Sequence, residues 1–271
     1  MAIICRLIAD WNGIHSIAER SGWCFRGQAN ADWEMATSLE RVFEREKMPL
    51  EQREDFELEL IREFKRAYHQ FGEHIPTEES PIEWLALMQH HGAPTRMLDF
   101  TYSAYAAAYF ALEEAKTDCA LFAIDPAWAN KQSRQILERA GKGDAAAYMR
   151  RTTPELERKV YNAHFYKPFV KSVYPVNPFR LNERLRVQKG IFLMPGDGAI
   201  SFKENFEALP GHDNAANAEK IIIRYECRKK ILRDLFYMNV SRTSLFPGID
   251  GYAKSLGIYH PAYEPLNGND G

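Results

Sequence analysis

The sequence predicts an α+β, helix-rich single domain around a small mixed or antiparallel sheet of short strands. Three observations carry that expectation. Apolar residues recur at helical spacing in long runs, the strand-like segments are short and scattered, and no regular strand–helix alternation of a doubly wound sheet is present. Composition agrees: of 271 residues, 45% are hydrophobic and 27% charged, as in soluble globular proteins, and that length buries a core without staples.

The elements follow in order. Residues 13–20 read as a short helix leading into a strand over 23–26. Trp33 is expected to pack, and Leu39, Val42 and Phe43 begin a helical pattern that Pro49 closes. Residues 51–72 form the clearest helix, with Phe56, Leu60, Phe64, Ala67 and Phe71 at steps of three or four and Gly72 as its C-cap. Ser80 and Pro81 read as the N-cap and first position of a helix whose apolar face holds Trp84, Leu85, Leu87 and Met88. Residues 95–101 read as a loop and 102–115 as a central helix rich in Ala and Tyr. Residues 119–124 then read as a buried strand, ended by Asp125-Pro126. Beyond these, weak helical patterning covers 127–163, strands fit 168–174, 191–194 and 219–227, and helices fit 182–188, 228–238 and 249–257. The domain is taken as residues 1–263, with core motifs at 23–112 and 180–257, a helical insertion at 127–165 and a frayed tail at 264–271.

Net charge is −2, so no global field favours nucleic acid or a membrane. The charge is uneven: residues 32–83 hold 15 acidic and 7 basic side chains, residues 142–190 hold 4 acidic and 11 basic. The basic block, which includes Arg184, Arg186 and Lys189, can meet phosphates or face an acidic surface of the same or a neighbouring chain. Cys5, Cys24, Cys119 and Cys227 lie far apart in apolar contexts without a Cys-x-x-Cys pair. They are expected to be reduced core cysteines of a cytoplasmic protein, with no zinc site. His90 and His91 are adjacent, point about 100° apart on a helix and cannot share a metal, so no metal is expected. The chain start is not a signal peptide, and no apolar stretch is long enough to span a membrane.

Three polar clusters stand out. The first is Arg26-Gly27-Gln28, where a strand presents a fixed cation beside backbone that something can approach closely. The second runs from His90 to Thr101. Its Arg96 and Asp99 either pair with each other, or Asp99 receives Arg26 and leaves Arg96 for a ligand. His91 borders the same Gly-Ala-Pro-Thr-Arg loop, and Thr95 or Thr101 can cap a helix. The third runs from Leu245 to Gly251, with Asp250 at or near a helix N-cap. Gln188 and Gly190 enter a short strand, where an amide and bare backbone serve a ligand or form a simple turn. No phosphate-loop, nucleophile-elbow or zinc-protease motif occurs.

These segments resemble the FRG domain family, named for its Phe/Tyr-Arg-Gly motif. The resemblance is carried by WCFRGQANADWEMATSLER, EWLALMQHHGAPTRMLDFTYSAYAAAYFA, VQKGIFLM and LFPGIDGYAKSL, in that order, between about Trp23 and Leu256. The stretch 127–165 matches no pattern of the family. The resemblance implies a cytosolic microbial or viral protein, often in a mobile, toxin or phage-defence setting, and fixes no activity.

Arg26, Gln28, Arg96 and Gln188 are cations and amides suited to an anionic planar ligand such as a nucleotide. One expectation is therefore an enzyme with NAD as substrate, catalysing ADP-ribosyl transfer or NAD cleavage. ADP-ribosyltransferases look similar in holding NAD by an Arg or His on an early strand. Arg26 would then bind phosphate or ribose, Gln28, His91, Thr95, Arg96, Asp99 and Gln188 would line the site, and Glu226 would be the catalytic carboxylate. The alternative is a non-catalytic interaction or sensor module in which the motif is structural. A third reading is nucleic-acid binding through the basic block.

Overall fold

Runs of four to six apolar residues make strands too short to stand alone, and they gain stability by joining one sheet. The computed structural model describes residues 3–72, 75–76, 80–142, 169–178 and 183–257. Among these the strands are β1 (Ile4–Ile8), β2 (Cys24–Gln28), β3 (Leu98–Thr101), β4 (Cys119–Ile124), β5 (Val173–Val176), β6 (Gly190–Pro195) and β7 (Ala218–Ile223). They form a seven-stranded sheet in the order β1-β7-β4-β2-β3-β6-β5. β1 runs parallel to β7 and every other neighbour is antiparallel. Pro175 is tolerated because β5 is an edge strand with no ladder on its far side. The α+β architecture expected from the sequence is the one observed.

Helices cover both faces: α1 (Trp11–Ala18), α2 (Ser38–Arg45), α3 (Leu50–Tyr68), α4 (Pro81–His90), α5 (Ala104–Leu112), α6 (Pro126–Arg139), α7 (Glu183–Val187), α8 (Phe202–Glu207), α9 (Arg228–Tyr237), α10 (Arg242–Leu245) and α11 (Ile249–Ser255). Their starts are specified locally. Asp10, Ser103 and Asp125 cap α1, α5 and α6, while Thr37 with Glu40 and Ser201 with Glu204 form capping boxes on α2 and α8. One hydrophobic cluster joins the sheet to α1, α5 and α9 through Ile14, Phe25, Leu121, Ile221 and Leu235. A second joins it to α6 and α8 through Leu98, Phe122, Trp128 and Phe202, and a third packs α3 and α4 near β5 and β6.

The centre of the fold is the crossing of α5 over β2. A Cβ on Gly27 would stand 2.0 Å from the Ala107 carbonyl oxygen and 2.5 Å from the Ala111 nitrogen. The helix backbone therefore lies directly on the strand, and the alanines 104, 106, 107, 108 and 111, all buried, keep that approach open. Close approach at the glycine was expected; what approaches is the protein's own helix. Phe25, 1% exposed, fills the same face, so alternation along β2 turns Arg26 to the opposite one.

Several elements differ from expectation. Residues 98–101 of the expected loop form β3, an internal strand that pairs with β6. Residues 4–8, given no element from the sequence, form β1, and α8 and α10 are too short for a periodic signal. The C-terminal strand stops at Ile223, and residues 225–227 form a 3-10 turn. Helix α3 ends at Tyr68 with His69 as its C-cap, not Gly72. Gly248, at φ 101°, holds the N-cap position of α11, and Asp250 stands in its first turn. All four cysteines are free, yet Cys5 is exposed on the edge strand and only Cys24 and Cys119 are buried. The first part of the presumed insertion is α6, whose Trp128, Ala129 and Leu137 are buried, while residues 143–168 and the tail 264–271 lie outside the described residues.

Gly27→Ala is expected to lower stability by about 1–3 kcal/mol or more, because neither helix nor strand backbone can yield cheaply. Urea denaturation measures it, and an unchanged midpoint would contradict the packing described.

Candidate functional site

β2 pairs with β4 over five residues but with β3 only at Phe25 and Thr101. Beyond that pair, a side chain bridges the two strands: Arg26 Nη1 donates to the Asp99 carbonyl at 2.8 Å. The guanidinium has five N–H groups, and this is its one hydrogen bond among the described residues. Its Nε is buried without a partner. Burial pushes its pKa down, the Asp99 carboxylate opposes that shift, and Arg41 adds to it. Arg26 is thus a half-buried cation with hydrogen-bond donors to spare.

It borders a cleft of about 880 Å³. Gln28, one alternation further along β2, lines the same cleft with its Nε2 bonded to the Glu34 carbonyl and its buried Oε1 without a partner. The other walls include Trp33, Glu40, Arg41, Phe110 and Lys203. Trp33, expected to pack, is 55% exposed and offers its ring to the opening. Arg41 donates to the Ala36 carbonyl, and Lys203 pairs with Glu34 at 3.0 Å near the rim. Glu40 is 8% exposed, and burial raises its pKa against two backbone N–H groups that lower it.

The other residues singled out from sequence have different places. Arg96 meets neither Asp99 nor the cleft: it forms a bidentate pair with Glu57 of α3, each side chain 5% exposed. Asp99 Oδ2 accepts from Gln89 Nε2 at 2.8 Å, so both expected partnerships for that carboxylate are replaced. Thr95 is fully buried, donates through Oγ1 to Gln89 and receives the Met97 N–H. Gln188 donates through Nε2 to the Leu245 carbonyl, and its own carbonyl accepts from Thr101. His91 is exposed at the end of α4, with its ring 4.9 Å from that of His90. Glu226 lies on the 3-10 turn with its side chain 82% exposed, 3.8 Å from Arg224. None of these six lines the cleft, although Asp99 touches Arg26 through its backbone.

Sequence reasoning thus found Arg26 and Gln28 but missed Trp33, Glu40, Arg41 and Lys203. The Thr37-x-x-Glu40 spacing was readable, but as a helix start; nothing in it shows that Glu40 also faces a cleft. Among the described residues no group of His, Cys, Asp and Glu is arranged to hold a metal ion, and no helix is long and apolar enough to cross a membrane.

Two variants separate structural from available cations. Arg96→Ala strands the buried Glu57 carboxylate and is expected to cost about 3–5 kcal/mol. Arg26→Ala removes a cation that has no carboxylate partner among the described residues and is expected to leave the melting temperature unchanged or raised. For Glu40 the sign follows from its raised pKa: the folded state holds the proton more tightly, so its contribution is present in acid and lost as pH rises through the folded value. Glu40→Gln, neutral throughout, is expected to gain stability relative to the parent between about pH 4 and pH 7. Urea unfolding at both pH values reads this, and a relative loss would contradict it.

Comparison with curated proteins and with solved structures gives no match. The family model of the FRG domain matches residues 21–119, from just before β2 to the start of β4, and takes in the Phe25-Arg26-Gly27 motif, the arginine cleft's main walls and the Ala-rich α5. Over residues 21–119 this chain is similar to the FRG domain family.

Proposed function

We propose that the Arg26 cleft binds a nucleotide and that the protein acts on it, with NAD as substrate in ADP-ribosyl transfer or NAD cleavage. The observation that carries the reading is the guanidinium of Arg26, half-buried at the cleft and holding a single hydrogen bond among the described residues. A planar cation with free donors matches a phosphate oxygen pair. Trp33 adds an exposed aromatic face for a base, and Arg41 and Lys203 add positive charge. The cleft also supplies carboxylates, Asp32, Glu34, Glu40 and Glu44, which suit a ribose whose positive charge develops as its glycosidic bond breaks. The reading therefore puts carboxylate chemistry on cleft residues in preference to Glu226.

The second reading is an interaction module. It is favoured by Gly27, Thr95, Arg96 and Gln188, each of which has a structural partner. Mass-spectrometric turnover of NAD, with and without added protein, RNA and DNA, decides between them. Nicotinamide release that disappears in folded Arg26→Ala is the expected result. No NAD loss under any condition, with no nucleotide bound, leaves the module reading.

A further inference from the structure

Glu40 is bonded on one side only. Its Oε2 accepts the backbone N–H of Thr37 at 3.3 Å and that of Phe202 at 3.0 Å, tying the start of α2 to the start of α8. Its Oε1 accepts from no described residue and is not among the side-chain atoms sealed from solvent. Glu40 lines the Arg26 cleft, so a buried carboxylate held rigidly by two amides offers its second oxygen there.

We propose that Glu40 is the specificity residue of this cleft, its Oε1 accepting a hydrogen bond from a ribose hydroxyl of a nucleotide whose phosphate binds Arg26. The inference rests on the nucleotide reading above and names what distinguishes one nucleotide from another. A carboxylate oxygen accepts and cannot donate, and its charge repels phosphate. Within a cleft that also presents Arg26 and Arg41, it therefore sorts the ligand by part: anionic groups go to the arginines and a neutral donor to Glu40. A hydroxyl is the donor that gives a short, charge-assisted bond to a carboxylate. An analogue without it leaves a desolvated acceptor unpaired, which weakens binding by about 10- to 100-fold.

The test is calorimetric titration of the full chain with ADP and with 2′,3′-dideoxy-ADP. The parent is expected to prefer ADP by about 10- to 100-fold. Glu40→Gln can keep both backbone bonds through its carbonyl oxygen while turning an amino group to the cleft. It is expected to lose the preference while binding the dideoxy compound as the parent does. Glu40→Asp, which keeps the charge but withdraws the oxygen, is expected to lose most of the preference and serves if the glutamine variant does not fold. Equal binding of the two compounds by the parent, or an undiminished preference in the folded variants, overturns the role of Glu40 and leaves the nucleotide reading standing. Failure of the parent to bind either compound overturns both.

Discussion

The rest of the structure depends on the contact between Gly27 and the backbone of α5. No side chain fits between β2 and that helix, where the Ala107 carbonyl already occupies the place of a Cβ. The crossing sets the height of α5 above the sheet, and with it the packing of Phe25, Leu121 and Ile221 in the cluster beneath. It also fixes the facing of β2. With Phe25 and Gly27 committed to the helix side, Arg26 and Gln28 are turned to the other side, where the cleft lies. The three residues of the motif are therefore one device. The outer two anchor the strand and the middle one is delivered to a cleft.

Two arginines in the matched region show opposite uses of the same group. Arg96 meets both oxygens of Glu57 through its Nε and Nη2, and their mutual attraction in a buried setting holds α3 against the segment before β3. Arg26 is held by one carbonyl and, half-buried at the cleft, has no carboxylate paired to it among the described residues. Arg242, like Arg96, is paired with a carboxylate, that of Glu113. Arg26 lies in this cleft together with the exposed ring of Trp33 and the carboxylate of Glu40.

How much of this was legible in the sequence varied by the range of the interaction. The periodic α3, the α4 that starts at Pro81, the Ala-rich α5 and the all-apolar β4 were readable because their signals are local. β3 was not, since four residues after a Gly-Ala-Pro turn carry no period and become a strand only by pairing with β6, some ninety residues later. The same limit governed the site. Arg26 and Gln28 announced themselves by lying on one strand. The partner of Arg96 sat on a helix 39 residues earlier, one of many glutamates on that helix, and nothing in the sequence singles out Glu57. Glu40 was hidden for a different reason: it stands in a helix-start pattern, and nothing local shows that its carboxylate also faces a cleft.

The most direct test of the central claim is a crystal structure of the protein with ADP. The account expects the diphosphate within hydrogen-bond distance of the Arg26 guanidinium, the base against Trp33, and α5 unmoved over Gly27. A nucleotide bound elsewhere, or an Arg26 that has left the cleft to pair with a protein carboxylate, would contradict it.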